Sequence, residues 1–461
     1  MRPLIAFVFI VFLTTLTGSF VSAKETVMVD NGLLVEGRTM VPLRSIFETF
    51  GADVKWDSAD QKVVATKDAK VVTLRINEEE VLVNGNLYDL DAPIRMIEGQ
   101  TMVPVRLLEI AFGADIRWDG KINMVTIITA EKEINIAVKE YVEEISIKIS
   151  AAGDVTLGGD ANSSYQGSFN QEAKNNGFAH FVKNIKDIFK EDDLTMVNLE
   201  TTLTTATAKA EKKFRFKADP SFTEILKLGN IEAVNLANNH TFDYLQKGYT
   251  DTVENLKKAD IGFFGFEHQY IKEIKGVKVG ALGYKGWSDT TGVRKQIKND
   301  IQNLRDQGVE IVIIHFHWGE ERSYAPNKVQ KALGRYTIDS GADLVLGHHP
   351  HVVQGIEEYN GKFIVYSLGN FMFGGNKNPS DKDTFVFQQT FHVKDGKLTD
   401  KKEINVIPFS ISSVTNRNNY QPTPMETVKA GTLKQKLVKL SDQISPTNWA
   451  IYETNTAVAS E

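Results

Sequence analysis

The stretch LVLGHHPHVVQG, residues 344–355, holds three of the chain's nine histidines, set around a proline directly after an apolar run. Four other apolar runs end in residues that can bind a cation. ISIKISAAGDVTLGGD delivers Asp154, and LTMVNLETTL delivers Asn198 and Glu200. IEAVNLANNHTFD delivers Asn238, Asn239 and His240, and EIVIIHFHWGEE delivers His315, His317, Trp318 and Glu320. Carboxylate, amide and imidazole together form a mixed oxygen and nitrogen donor set. Such a set suits divalent first-row metals such as manganese, iron or zinc, with donors enough for two ions. A bound ion lowers the pKa of its water and polarises the group under attack. His349 and His351 are expected to reach two ions from opposite sides of one turn. A lone histidine at a strand end is more often structural than a ligand. His315, deep in its apolar run, is read that way, and His348 is given no role.

These donors need elements that bring them together. From Ser146 onward, short β runs alternate with helical patterns, the signature of a layered α and β architecture. Ligand sites in such sheets lie beyond the carboxyl ends of the strands. Five strands therefore aim polar residues at one edge.

The whole chain sets the frame. At 461 residues it is long enough for two or three domains. It is 42% hydrophobic and 24% charged with 12 prolines, a globular composition. A net charge of -6 and a pI of about 5.9 argue against nucleic acid as a partner. An anion site would have to be built locally, from cations or a metal. Residues 1–23 read as a secretory signal peptide: Arg2, an apolar run, then Val-Ser-Ala, with cleavage expected near Ala23. With no cysteine anywhere, the chain reads as a secreted or cell-surface bacterial protein rather than a disulfide-stapled ectodomain.

Ahead of the strand-end motifs the chain repeats itself. EGRTMVPLRSIFETFGADVKWD (36–57) and EGQTMVPVRLLEIAFGADIRWD (98–119) are offset by 62 residues and identical at 13 of 22 positions. Each copy predicts a strand, a helix stopped at Gly51 or Gly113, and a returning strand. Arg44 and Arg106, or Trp56 and Trp118, could bind a ligand; the preferred reading is that they pack and pin the repeat. Residues 26–130 resemble the bacterial stalk domain related to the copper amine oxidase N-terminal domain. The resemblance implies a small α+β surface module with contact to the cell wall. Copper chemistry is not expected, since the repeats contain neither histidine nor cysteine.

The ordered series GDVTLGG, NLET, FRFKADP, LANNH, HWGEE, GADLVLGHHPHVVQ and SLGNF resembles the CapA family over residues 147–410. These are poly-γ-glutamate capsule biosynthesis proteins on the calcineurin-like metallophosphoesterase fold. The implied class is α+β: a four-layer β-sandwich with flanking helices, preceded by the small stalk domain. The expected organisation is a signal peptide (1–23), stalk (24–130), linker (131–145), CapA-type domain (146–410) and partly helical C-terminal extension (411–461). By the same resemblance, Asp154 binds the first of two divalent ions and Glu200 bridges them. Asn239, His317 and His349 bind the second, and His351 returns to the first. His240 would sit just beyond the ions as the acid for the leaving group. Thr156 stands where the related fold usually has a histidine, which puts efficient phosphatase activity in doubt. Arg215 and Lys217 are expected to share a strand face and hold a carboxylate or phosphate; Trp318 and Tyr324 could wall the pocket, but aromatics here are more often packing. The implied activity is metal-dependent hydrolysis in the synthesis or processing of an anionic surface polymer. A capsule synthase or exporter in the membrane is the implied partner, and non-catalytic polyanion binding is the alternative.

Overall fold

The computed structural model describes residues 24–58, 60, 62–446 and 449–454. The expected signal peptide lies outside the described residues. Among those described, no helix is long and apolar enough to cross a membrane. Two compact units divide at residues 142 and 143.

In the first unit both repeat copies fold alike. Arg38–Pro42 and Gln100–Pro104 are strands, and Leu43–Thr49 and Arg106–Phe112 are helices. Asp53–Asp57 and Asp115–Asp119 return as strands. Gly51 and Gly113 end the helices at left-handed φ of 79° and 64°. The copies pair through their own counterparts. Val41 lies opposite Val103 in antiparallel register, and Phe50 stacks on Phe112 at 4.6 Å between ring centroids. A local two-fold thus runs through one core. The charged segment read as a linker supplies strand Lys132–Glu140, paired in parallel with Glu25–Val35 and antiparallel with Met124–Ile128.

The second unit is a sandwich of two sheets. One is built on the parallel strands Ile145–Thr156, Leu194–Leu199, Ala233–Asn235 and Gly262–Phe264. It continues antiparallel through Asp383–Lys394 and Glu403–Ser410. The other has Val277–Gly286, Ile311–Trp318, Leu344–His348 and Lys362–Val365 in parallel. Every residue of Ile311–Trp318 is buried, as a strand covered on both faces requires. Ile147, Ile149 and Met196 of one sheet and Ile311, Ile313 and Leu344 of the other belong to one inter-sheet core. Helices Thr223–Leu228 and Leu245–Lys258 pack on the outer face of the first sheet, and Thr291–Asp306 and Lys328–Asp339 on that of the second. The result is four layers in an α+β fold.

Residues beyond Ser410 belong to this unit. Leu433 and Leu437 of helix Thr427–Asp442 join the inter-sheet core together with Trp449, and Tyr420 is buried under the outer helices. Apolar side chains at that helix's inward positions make it part of the core rather than an appendage.

At the opposite end of the strands from the donor residues, burial pushes Asp192 up to about 7, opposed by hydrogen bonds from Ser150 and Thr195. The native state therefore keeps a proton that the unfolded chain loses near pH 3.8. Stability should fall as pH rises from about 4 to about 7, because the native state binds more protons there. Asp192→Asn should flatten that slope and raise the melting temperature at pH 8 relative to the unmodified chain. Parallel melting curves at pH 5 and pH 8 test this.

Candidate metal centre

The parallel strands of both sheets end at one edge, where the polar residues collect. Two backbone features allow the close approach. A Cβ on Gly153 would lie 2.0 Å from the carbonyl of Gly369, so only glycine lets these segments touch. That contact sets Asp154 beside Asn370 in register. His349 and His351 take positive φ, 95° and 56°. Such strain in non-glycine residues is typical of functional turns. Here both imidazoles turn inward across Pro350.

Two donor groups overlap at one residue. Ligand atoms of Asp154, Glu200 and His351 all lie within 4.8 Å of one another, and so do those of Glu200, His317 and His349. Glu200 is common to both. Its Oε1 lies 3.7 Å from His317 Nε2 and 3.9 Å from His351 Nε2. Asn239 Oδ1 is 2.7 Å from His317 Nε2 and thus adjoins the second group. Asp154 accepts from Asn198 Nδ2 at 2.8 Å, and its Oδ2 lies 3.2 Å from His351 Nδ1. Glu321, exposed at the rim, forms a third group with His349 and His351.

This donor set fits a cation. Both carboxylate oxygens of Glu200 are buried without a hydrogen-bond partner, as is His349 Nδ1. Unpartnered buried polar atoms cost free energy, so several aimed at one point call for an ion. Burial pushes the Glu200 carboxyl well above its usual range. Burial would push Asp154 the same way, but hydrogen bonds from His348 and His351 hold it well below. Burial lowers His349 to about 4, which leaves one ring nitrogen unprotonated with its lone pair free to ligate. Burial also acts to lower His351, yet Glu200 and Asp154 raise it to about 9. A metal must displace that proton before Nε2 can ligate.

His240 stands beside the donors. Its Nε2 is 3.7 Å from Glu200 Oε1, and its Nδ1 is 2.6 Å from Asp243 Oδ2. Lys212 donates to Asp243 Oδ1 at 2.6 Å and to the Asn239 carbonyl at 2.8 Å. The ring of Phe216 stacks on His240 at 4.1 Å. Burial lowers the His240 pKa, and the Asp243 carboxylate opposes it.

One expectation is corrected. Arg215 and Lys217 do not face the centre. Side chains alternate along a strand, and Phe214 and Phe216 take the face that lines the cleft. Arg215 reaches the Ala210 carbonyl and Lys217 that of Ala206. Arg322 and Lys212 are the cations near the donors instead. Trp318 packs, as the preferred reading has it. It is fully buried, and its Nε1 donates to the Tyr366 carbonyl. Tyr324 does line the cleft.

The remaining motif histidines support the ligands. His348 Nε2 is 3.0 Å from His315 Nδ1, and His348 Nδ1 is 3.5 Å from Asp154 Oδ1. Thr156 donates to the Glu200 carbonyl at 3.1 Å, so it offers no side-chain donor in place of the missing histidine. Sequence reasoning missed Asp243, Lys212, Trp287 and the orienting role of Asn370. Asp243 had a signal, three residues after His240. Trp287, whose ring meets His349 edge-on at 4.7 Å, follows a strand end as the other motifs do. Asn370 Oδ1 lies 2.9 Å from His351 Nδ1 and orients that ring. Outer partners of this kind matter to affinity, so Asn370→Ala should weaken metal binding about 10–100-fold. Competition with a chelator measures it.

Comparison with known proteins adds a family context. Residues 148–375 match the family model described as "Bacterial capsule synthesis protein PGA_cap". Residues 20–127 match that of the copper amine oxidase N-terminal domain. The PGA biosynthesis protein CapA of Bacillus subtilis (strain 168) is 28% identical over 322 residues, 65% of this chain and 78% of that one. The capsule biosynthesis protein CapA of Bacillus anthracis is 28% identical over 265 residues, 51% of this chain and 64% of its own length. A crystal structure of a novel phosphatase from Mycoplasma pneumoniae aligns with a TM-score of 0.38 at 18% identity. It covers 58% of this chain and 95% of that one. The fold assignment rests on the topology above, not on that likeness.

Proposed function

We propose, from the matches of residues 148–375 to the capsule synthesis family model and of residues 20–127 to that of the copper amine oxidase N-terminal domain, that the chain is a secreted, metal-dependent hydrolase acting on an anionic surface polymer such as poly-γ-glutamate. The observation that carries the reading is Glu200, a buried carboxylate with two unpartnered oxygens shared by two donor groups. Asp154, Glu200 and His351 would hold one divalent ion, and Glu200, Asn239, His317 and His349 a second. When bound, the metals supply a water of lowered pKa and polarise the electrophile. The chain's own residues do the rest. Asp243 accepts a hydrogen bond from His240 Nδ1–H and fixes the ring with Nε2 toward the donors. Once protonated, Nε2 can pass its proton to the leaving amine or alcohol. Lys212 holds Asp243 and the Asn239 backbone at once, which keeps acid and ligand in register.

The cleft favours a polymer over a small substrate. Its volume is about 450 Å³, and it opens onto a broad, shallow outer surface. Both are lined by Tyr324, Asn378, Pro379, Ser380 and Asp381. Poly-γ-glutamate incubated with manganese-loaded protein should shorten, with new amino termini appearing. A model phosphodiester serves as the competing substrate. Thr156 favours a second reading, in which a weaker first ion site makes the domain a polyanion-binding partner of a capsule synthase or exporter. Tight polymer binding without chain shortening or phosphodiester turnover would select it.

A further inference from the structure

The N-terminal unit contains a cavity that capsule hydrolysis leaves unused. Its volume is about 390 Å³, and it forms between the two repeat copies. Leu43 and Val54 of the first copy, with Val63 of the strand that follows it, line its buried side. The hairpin of Arg95–Ile97 and Gln100–Pro104, leading into the second copy, closes it with Met96, Gln100 and Thr101. Trp56 forms a wall with 50% of its surface exposed, and Met96 is 53% exposed.

Packing explains only half of that indole. Trp118, its counterpart in the second copy, is 48% exposed. Each tryptophan lies opposite a buried valine on the neighbouring strand, Val63 or Val125. Both extend past the core that their strands build. The expectation that they pack is met for the covered half of each ring, and the exposed half is open to a ligand. Trp118 does not line the cavity, and Trp56 does. The polar groups around Trp56 are of one kind. Arg44 is the one charged side chain among the described residues that line the cavity, and its nearest acidic partner, Glu48, is 3.9 Å away. Gln100, Thr101 and Ser45 add donors and acceptors.

We propose that this cavity binds a carboxylate-bearing sugar ring of a polysaccharide. The indole face and the Met96 thioether take the apolar C–H face of a pyranose, as amphipathic aromatic surfaces do. The Arg44 guanidinium takes the carboxylate as a charge-assisted pair. Gln100 and Thr101 take the ring hydroxyls. The volume sits at the small end of the roughly 300–1,000 Å³ of small-ligand sites, which suits one or two rings rather than a folded partner. A linear polyglutamate offers carboxylates but no ring, so it would leave Trp56 idle.

The test uses the full chain from residue 24, titrated with trigalacturonate, neutral maltotriose and poly-γ-glutamate. Calorimetry and tryptophan emission are read together. Trigalacturonate should bind saturably and change the emission. Trp56→Ala should abolish binding, and Trp56→Phe, which keeps a ring and guards against misfolding, should retain part of it. Arg44→Ala should weaken trigalacturonate about tenfold, toward the level of maltotriose, because the charge-assisted pair is lost. Trp118→Ala should leave binding unchanged. Three results would overturn the proposal: no saturable binding, binding indifferent to Trp56→Ala, or polyglutamate displacing the sugar with equal affinity. Glu200→Gln should bind trigalacturonate normally, so failure here stays separate from failure of the hydrolase reading.

Discussion

Glu200→Gln is expected to remove both metal binding and turnover. The substitution keeps the side chain's shape and deletes its charge. Glu200 belongs to both donor groups, so a neutral amide weakens both ions at once. Metal catalysis supplies several kcal/mol of charge stabilisation, so turnover should fall by about 10³-fold or more. His317→Ala should behave differently, emptying the second position while Asp154, Glu200 and His351 keep the first. Elemental analysis of the two variants after dialysis distinguishes them. Equal metal content in Glu200→Gln and the unmodified chain would remove Glu200 from the centre. The variant should also fold normally, since it exchanges an unpartnered buried carboxylate for a neutral group of the same size.

The second large effect belongs to His240. Its Nδ1 is tied to Asp243 and its Nε2 faces the donors, but it enters neither of the two overlapping groups. His240→Ala should therefore keep both ions while turnover falls by about 10²–10⁴-fold. The loss should be smallest for substrates whose leaving group needs no proton. Asp243→Asn should lose less than His240→Ala, because it removes the partner and leaves the imidazole. Asn239→Ala should lose metal and turnover together. Metal loss in His240→Ala equal to that in His349→Ala would make His240 a ligand instead of an acid.

The site was legible because its signal is local. An apolar run ending in Asp154 or in Asn239 and His240 is the same feature in sequence and in space, and sheet geometry gathers such ends without further information. The repeat was legible for a similar reason, since identical phrases fold identically, even to Val41 opposite Val103. Failures occurred where a second reference was needed. The alternation of Phe214, Arg215, Phe216 and Lys217 shows two faces but not which one meets the cleft. Asn370 supports His351 from a strand 19 residues away, and nothing in that spacing announces the contact. The left-handed backbone at His349 and His351 is a tertiary constraint on residues that seldom adopt it. Trp318 could wall the cleft by position, yet its ring packs with Leu333 and Tyr366 in the core under the outer helices of the second sheet.

The most direct measurement is the position of bound ions. Crystals of the full chain grown with manganese, with anomalous differences collected near the manganese edge, locate them without assumptions about activity. The account predicts two peaks flanking the Glu200 carboxylate about 4 Å apart, the usual span of a two-metal centre. One should lie by Asp154 and His351, and the other by Asn239, His317 and His349. No peak at Glu200, or peaks only elsewhere in the chain, would contradict it.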